Sequence, residues 1–419
     1  MIKNFVPKIL LVLLTSALIF PMNIFAQETD SYWEIQSIDT MKFSRDLARE
    51  RNGDEVFRKI IETNVQKIAD VGANYVAIGT PYDEEFLPYL KVWVHAVRSS
   101  GLKVWFRGNL SGWEGWFDYP SVSPQDHIEQ IEEFIVNNSD LFEDGDIFTS
   151  CTECENGVLG DPRETKDVDG FREFLIREYE ISKAAFEKTG IKVTSGYYSM
   201  NADVAWLVMD KETTKALGGI VVIDHYVKDP EKLASDVNKL AQKSEGEVVL
   251  GEIGVPVPDI HGVMTDEMQA RWIEAAFSAL SKESKLKGVN YWVSFSGTTA
   301  IWNADGSEKP VVSVIKSYFL PDTLSGIVVN KLGRPVKNSL VIADAKSTHT
   351  DDKGMFRITS NPTLERIVVN ASSYKDKAFQ IGSEKDLGDV TLEKEKESVF
   401  FKVGLFFKQV GSSFLGFFN

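Results

Sequence analysis

Cysteine is almost absent: Cys151 and Cys154 are the only two in 419 residues. That excludes a disulfide framework, so a hydrophobic core has to hold the fold. No second Cys pair completes a zinc tetrad for "CTEC", and no thioredoxin-like pattern surrounds it. The pair therefore reads as two reduced, partly buried thiols, with a strained local disulfide as the alternative in an exported protein. Positive charge is also short. Lys and Arg number 46 against 62 Asp and Glu, a formal net charge of −16. A nucleic-acid partner needs a basic surface and is excluded. A soluble exported protein acting on neutral substrates suits the balance. A glycine-rich phosphate loop is missing, since the first predicted strand runs into "IDTMKFSRD". An open doubly wound sheet thereby loses its usual nucleotide-binding signature. Long apolar runs are scarce, and the one at residues 9–20 is too short to span a membrane comfortably. Lys3 and Lys8 precede it, and "NIFAQE" follows with Ala26 as a cleavage site. Residues 1–26 therefore read as a secretory signal peptide, and the protein is expected to be exported.

What is present alternates. After "SYWEIQSI", the segments "NYVAIGT", "LKVWFRGN", "DIFTSCTE", "IKVTSGYY", "GGIVVIDHY", "GEVVLGEIG" and "KGVNYWVSFSG" are mostly apolar, with helix-length stretches between them. Residues 54–71 show the helical period in Val56, Ile60, Ile61, Val65, Ile68 and Ala69. Further helices are predicted near 87–97, 128–136, 171–186, 230–243 and 265–280. Eight such strand–helix units in about 290 residues predict an α/β fold, a (β/α)8 TIM barrel over residues 27–320.

In such a barrel, chemistry belongs at the C-terminal strand ends. Glu252 ends strand seven in "VVLGEIGVP", where an apolar run should not finish on a charge without a partner or a task. Glu153 ends strand four. Two carboxylates at one mouth suit glycoside hydrolysis. One attacks the anomeric carbon; the other protonates the leaving oxygen and later activates water. These positions resemble the nucleophile (Glu252) and acid/base (Glu153) of the clan A retaining glycoside hydrolases, the (β/α)8 group that includes many cellulases and β-mannanases. The resemblance covers residues 32–319. "GEIG" fits it, whereas the strand-four motif departs from the usual Asn-Glu-Pro: Thr152 stands for the Asn and Cys154 for the Pro. The family Asn holds the sugar 2-hydroxyl, and that contact has no counterpart here. Glu155 is the alternative acid/base; Glu153 is preferred because it continues the strand with no turn residue between. The family's strand-two arginine is missing from "AIGTPYD", and Arg107 or Arg45 is the candidate substitute. The resemblance implies a retaining O-glycosidase for a β-linked poly- or oligosaccharide, with no metal and no organic cofactor. The rival reading is a degenerate barrel that binds a sugar or a cell-envelope partner without cleaving it.

Aromatic rings stack on pyranose faces, so the mouth is expected to carry them. "NLSGWEGWFDY" after strand three supplies Trp113 and Trp116. Trp292 and Trp302 lie around strand eight, where the family commonly has a tryptophan floor. Tyr226, in "IDHY", stands where a family tyrosine often hydrogen-bonds the nucleophile. Asp224 and His225 are placed to orient Tyr226 or Glu252, and Asp39 to line the mouth. The expected substrate contacts are thus Trp113, Trp116, Tyr226, Trp292, Trp302, Arg107, Asp39 and His225.

Past residue 320 the composition changes. "LPDTLSG" is a break, and the sequence after it alternates short strands with turns at "KLGRP" and "TDDKG". Gly326-x-Val328, "GRPV", "TDDKGMFRI" and "DLGDVTL" resemble the carboxypeptidase regulatory-like domain, a prealbumin-like β-sandwich, over residues 323–393. The resemblance implies a non-catalytic spacer or binding unit, and the spacer is preferred because the segment has no Trp and a single Tyr, Tyr374. Residues 394–419 are Phe-rich, with Val399, Val403, Phe406, Phe407, Val410, Phe414 and Phe417 at helical spacing. An amphipathic helix lying on a membrane surface is the expectation there, with a helix docked on the protein's own surface as the alternative.

Overall fold

The computed structural model describes residues 31–382 and 384–395. The expected signal peptide, and the Phe-rich tail from residue 396 on, lie outside the described residues. The sequence folds into eight parallel strands: β1 (Ile35–Asp39), β2 (Tyr75–Ile78), β3 (Lys103–Phe106), β4 (Ile147–Phe148), β5 (Ser199–Asn201), β6 (Ile220–Asp224), β7 (Glu247–Ile253) and β8 (Leu286–Tyr291). Their order is β4-β3-β2-β1-β8-β7-β6-β5, so first and last strands are neighbours. The β4/β5 seam is joined by a parallel bridge between Ile147 and Thr194, and the Phe148 N–H donates to the Thr194 carbonyl at 2.9 Å. This is the (β/α)8 barrel that the alternation predicts.

The helices outside it are α1 (Glu55–Asp70), α2 (Leu87–Ser99), α3 (Pro124–Asn137), α4 (Val168–Thr189), α5 (Ala202–Val208), α6 (Pro230–Ser244), α7 (Asp266–Leu280) and α8 (Pro310–Phe319). Polar caps start several of them. The Asp54 carboxylate accepts the Val56 and Phe57 N–H groups at 2.9 and 3.0 Å. Ser123, Asp167, Asp229 and Thr265 do the same for α3, α4, α6 and α7. The buried stripe of α1 is Phe57, Ile61, Asn64, Val65 and Ile68. Val56 and Ile60, expected on that face, point outward, and Val56 is 73% exposed. The stripe from Phe57 keeps the i, i+4, i+7 spacing, which leaves its neighbours on the solvent side.

Strand five also differs from expectation. The run "IKVTSGYY" supplies only the single bridge at Thr194, and the ladder with β6 begins at Ser199. Gly196 interrupts it with φ +88°. A Cβ there would meet the Leu217 carbonyl oxygen at 2.7 Å, so the chain turns where a side chain is excluded.

Alternation along the strands places the site. A separate cluster of Ile35, Tyr75, Trp105, Ile147, Val222 and Val249 is buried apart from the large core beneath the helices. Two residues further along the same strand face, Trp105 leads to Arg107 and Val222 to Asp224. The charged groups therefore sit one step above an apolar layer.

Past α8, strands β9 (Asp322–Asn330), β10 (Leu340–Ala343), β11 (Lys346–His349), β12 (Met355–Ser360), β13 (Arg366–Asn370), β14 (Lys377–Gln380) and β15 (Asp386–Leu392) form two sheets, β11-β10-β13-β14 and β12-β9-β15. They enclose a core of their own that includes Val328, Val341, Phe356, Ile367 and Leu392. This unit meets the barrel through polar contacts. Thr363 Oγ1 donates to Ser278 Oγ at 2.9 Å, and Asn361 Nδ2 to Tyr32 Oη at 3.4 Å.

Candidate active site

Glu252 ends its apolar strand because other strands supply its partners. Arg107, one residue past β3, reaches its Oε1 with Nη1 at 3.3 Å and Nη2 at 3.2 Å. The Tyr226 hydroxyl donates to Oε2 at 2.8 Å. The same guanidinium holds Asp39 at 2.6 Å, Ser199 Oγ at 2.8 Å and Asp224 at 3.4 Å. Asn290 in β8 braces the arrangement, donating to Asp39 Oδ2 at 3.1 Å and to the Gly251 carbonyl at 2.8 Å. The two glycines of "GEIG" are space requirements. A Cβ on Gly251 would lie 2.6 Å from Asp224 Oδ1, and one on Gly254 would lie 2.0 Å from the Trp292 carbonyl oxygen.

One buried guanidinium thus faces three carboxyl groups, Asp39, Asp224 and Glu252. Burial works against the charge of Arg107, but Asp224, Glu252 and Asp39 hold its pKa above the ordinary value. Burial, then the charge of Glu252, drives Asp224 well above the carboxylate range. Burial also pushes Glu252 up to about 7, with Arg107 opposing and Glu153 adding to the rise. Each carboxyl has a hydroxyl donor, Tyr226 for Glu252 and Ser199 for Asp224, but Glu252 has the closer guanidinium contacts and Asp224 the stronger upward push, so the surplus proton belongs on Asp224 and the ionised form on Glu252.

β4 ends at Phe148, so Glu153 does not continue the strand as the sequence suggests; it stands five residues on, after a turn, in the left-handed region at φ 47°. Its N–H donates to the Ser199 carbonyl at 2.7 Å, and Asn156 Nδ2 reaches its carboxylate at 3.3 Å. Its charge contributes to the rise of both Glu252 and Asp224. Glu155, the alternative, is 4% exposed, and its Oε1 accepts the Asn201 N–H at 2.7 Å. It ties the β4 loop to the end of β5. Cys151 and Cys154 are bonded to each other, so the preferred reading of two free thiols is corrected and the alternative, a local disulfide, is what the structure holds.

Several expected substrate contacts have other partners. Trp113 is 1% exposed, stacks on Phe174 at 5.1 Å and donates from Nε1 to the Cys154 carbonyl at 3.2 Å. Trp302 is 2% exposed and stacks on Phe295 at 5.4 Å. Both rings pack under their loops, because neighbouring side chains cover their faces. Arg107 and Asp39 are fully buried and spend their polar groups on one another and on the strand-end carboxyls. His225 gives only its backbone N–H to the Glu252 carbonyl; its ring faces Asp236 at 3.0 Å. Trp116 and Trp292 stay partly accessible, Trp116 with the Arg45 guanidinium 4.7 Å over its ring.

The sequence reading missed Ser199, Asn290 and Glu114. Ser199 and Asn290 are polar residues inside strands, which is the signal that marks them. Glu114 lies in the loop after β3. Burial first, then Glu153, pushes it up to about 8, against Arg45. Burial likewise pushes Glu155 up to about 7. Both titrate near 4.3 when unfolded, roughly. Their folded pKa values are raised, so their contribution to stability is full below about pH 4 and is lost as pH rises through 7 to 8. The melting-temperature difference, wild type minus Glu114→Gln, is expected to fall from pH 5 to about pH 8 and then level off, and that for Glu155→Gln to level off near pH 7. A flat difference across that range would contradict these environments.

No protein-family model matches the sequence, and no curated protein matches it. Solved structures do. A glutamate-to-alanine variant of GH5_18 from Bifidobacterium longum subsp. longum, in complex with Manβ1-4GlcNAc, is 14% identical, covers 72% of this chain and 84% of its own, and has a TM-score of 0.53. GH5_18 from Streptomyces cattleya in complex with GlcNAc is 13% identical, with 72% and 85% covered and a TM-score of 0.52. A variant of the same Streptomyces protein with Manβ1-4GlcNAc is 12% identical, with 71% and 84% covered and a TM-score of 0.51. At such identities the likeness is one of fold, the (β/α)8 barrel.

Proposed function

We propose that the chain is an exported retaining glycoside hydrolase for a β-linked oligo- or polysaccharide, with Glu252 as nucleophile and Glu153 as acid/base. The observation that carries the reading is the setting of Glu252: a strand-end carboxylate gripped by Arg107 and Tyr226 beside a second glutamate. Ionised Glu252 attacks the anomeric carbon, while Glu153 gives its proton to the leaving oxygen. Glu153 then takes a proton from the water that releases the sugar. Arg107 and Tyr226 keep the attacking carboxylate oriented. Trp116 and Trp292 are the accessible rings for stacking on sugar. Export is supported by the pattern of residues 1–26 and by a disulfide, which persists in oxidising compartments. The C-terminal sandwich serves as a spacer in this reading.

Manβ1-4GlcNAc occupies two of the similar structures, so it and the 4-nitrophenyl β-glycosides of mannose, glucose, N-acetylglucosamine and glucuronic acid form the first panel. At least one should be hydrolysed, with the first-formed product keeping the β configuration by NMR. The acid limb of the rate profile should fall near 7, where Glu252 titrates. Binding of panel sugars without hydrolysis would instead favour the non-catalytic sugar-binding barrel, and an inverted product would remove the retaining mechanism.

A further inference from the structure

We propose that the Cys151–Cys154 disulfide positions the proton-donating carboxyl of Glu153, and that reducing it disarms proton transfer while leaving the sugar site in place. The inference rests on the reading of Glu153 as acid/base and goes beyond it to a means of control.

Glu153 lies inside the ring that this bond closes, in the order Cys151, Thr152, Glu153, Cys154. Its φ of 47° is one that a side-chain-bearing residue keeps only where the surroundings over-determine it. The backbone is held tightly: Glu153 N–H on the Ser199 carbonyl at 2.7 Å, and Thr152 Oγ1 on the Arg107 carbonyl at 3.0 Å. The carboxylate is held lightly, with Asn156 Nδ2 at 3.3 Å as its hydrogen bond. Its direction is therefore set by the backbone of the ring rather than by contacts of its own.

Both ends of the ring are fixed to the barrel wall. Asn109 Nδ2 lies 3.6 Å from Cys151 Sγ. Asn109 Oδ1 accepts the Leu110 N–H at 2.8 Å, which fixes which way the amide points. That oxygen faces His127 Nε2 at 2.7 Å, and His127 Nδ1 faces Glu178 at 2.7 Å, all of it fully buried. On the other side, Trp113 Nε1 donates to the Cys154 carbonyl at 3.2 Å. The loop presses so closely on this ring that a Cβ at Gly157 would come 2.1 Å from Trp113 Nε1. The path runs from wall to sulfur to the Glu153 backbone. It gives Trp113, Asn109 and His127 a task that sugar binding does not explain.

A dithiol supplies the two electrons and two protons that reduction needs. One thiolate attacks a cysteine sulfur, the second thiol displaces the mixed disulfide, and two cysteine thiols and a cyclic disulfide result. Two thiols no longer share a bond, so the ring opens and Glu153 can leave the left-handed conformation.

The test compares wild type with the double variant Cys151→Ser/Cys154→Ser on the phenyl and 2,4-dinitrophenyl glycosides of a sugar that wild type hydrolyses. The phenyl leaving group needs a proton and the dinitrophenyl group does not. Loss of a positioned general acid is expected to lower kcat on the phenyl glycoside by about tenfold or more, with kcat on the dinitrophenyl glycoside and both KM values little changed. Dithiothreitol should bring wild type to the same pattern and leave the double variant unaffected. Equal kcat for wild type and variant on the phenyl glycoside overturns the proposal. So does a parallel loss on both substrates with a changed KM, which would mark a merely structural bond. If the double variant does not fold, the single variant Cys154→Ser, which breaks the same bond with one substitution, carries the same comparison. Glu153→Ala is run beside them. If it hydrolyses the phenyl glycoside normally, the acid/base reading has failed; if it fails there while the double variant does not, only the disulfide's role has.

Discussion

Replacing Glu252 with glutamine is expected to cut turnover by a factor on the order of 10⁴ or more, while leaving the protein at least as stable as wild type. Loss of activity follows from chemistry, since an amide cannot form the glycosyl-enzyme bond. Retained stability follows from the charge pattern. Asp39, Asp224 and Glu252 share one guanidinium; on top of burial, the charge of Glu252 raises Asp224, and the charges of Glu153 and Asp39 raise Glu252. A neutral amide of the same shape removes one of the three and keeps an oxygen for the Tyr226 hydroxyl. Active sites commonly hold such unfavourable arrangements for the sake of function. Thermal melts at pH 8, where Glu252 is ionised in wild type, are the sharpest comparison. A Glu252→Gln protein that melts well below wild type there would show that its charge is a net stabiliser, and retained activity would move the nucleophile elsewhere.

Arg107→Met is expected to do the opposite to stability from the same cluster. Methionine fills similar volume but leaves three buried carboxyls without their cation. Removing one partner of a buried ion pair costs about 3–5 kcal/mol. Activity should vanish as well, because Glu252 without the guanidinium holds its proton more tightly. The deficit should shrink on going from pH 8 to pH 5, since protonated carboxyls no longer need the charge. Urea unfolding at the two pH values measures this directly. A deficit that is small, or that does not depend on pH, would mean that the three carboxyls find other partners.

The barrel is legible in the sequence because each strand is a short apolar run and each helix a periodic one. Glu252 is legible because a charge at the end of "VVL" has few innocent explanations. What the sequence conceals is direction. Trp113 and Trp116 stand three residues apart in one glycine-punctuated loop, yet Trp113 is a plug against Phe174 and Trp116 remains partly accessible. Trp302 turns inward on Phe295 in the same way. Arg107 and Asp39 sit where a mouth residue would, but the charges that gather them come from β1, β6 and β7, far apart in the chain. Glu114 carries no signal of its own, since its surroundings are made by Arg45 and Glu153 from other loops. Strand five fails for a local reason, the left-handed turn at Gly196 inside a run that otherwise reads as β.

The pairing of β1 with β8 also sets a clock. Ile35 lies beside Gly288, and Asp39 shares Asn290 with the Gly251 carbonyl. During synthesis at roughly 5–20 residues per second, about 250 residues separate the two strands, so β1 waits about 12–50 s for its last neighbour. Until then one edge of β1 has no β8 to bond to. Asp39 can stay hydrated in that interval, and the cost of burying the charges around Arg107 falls due only when the ring closes. Barrel closure and assembly of the ionic cluster are therefore coupled, and a newly made chain buries Asp39 beside Arg107 in the same step that removes its open edge.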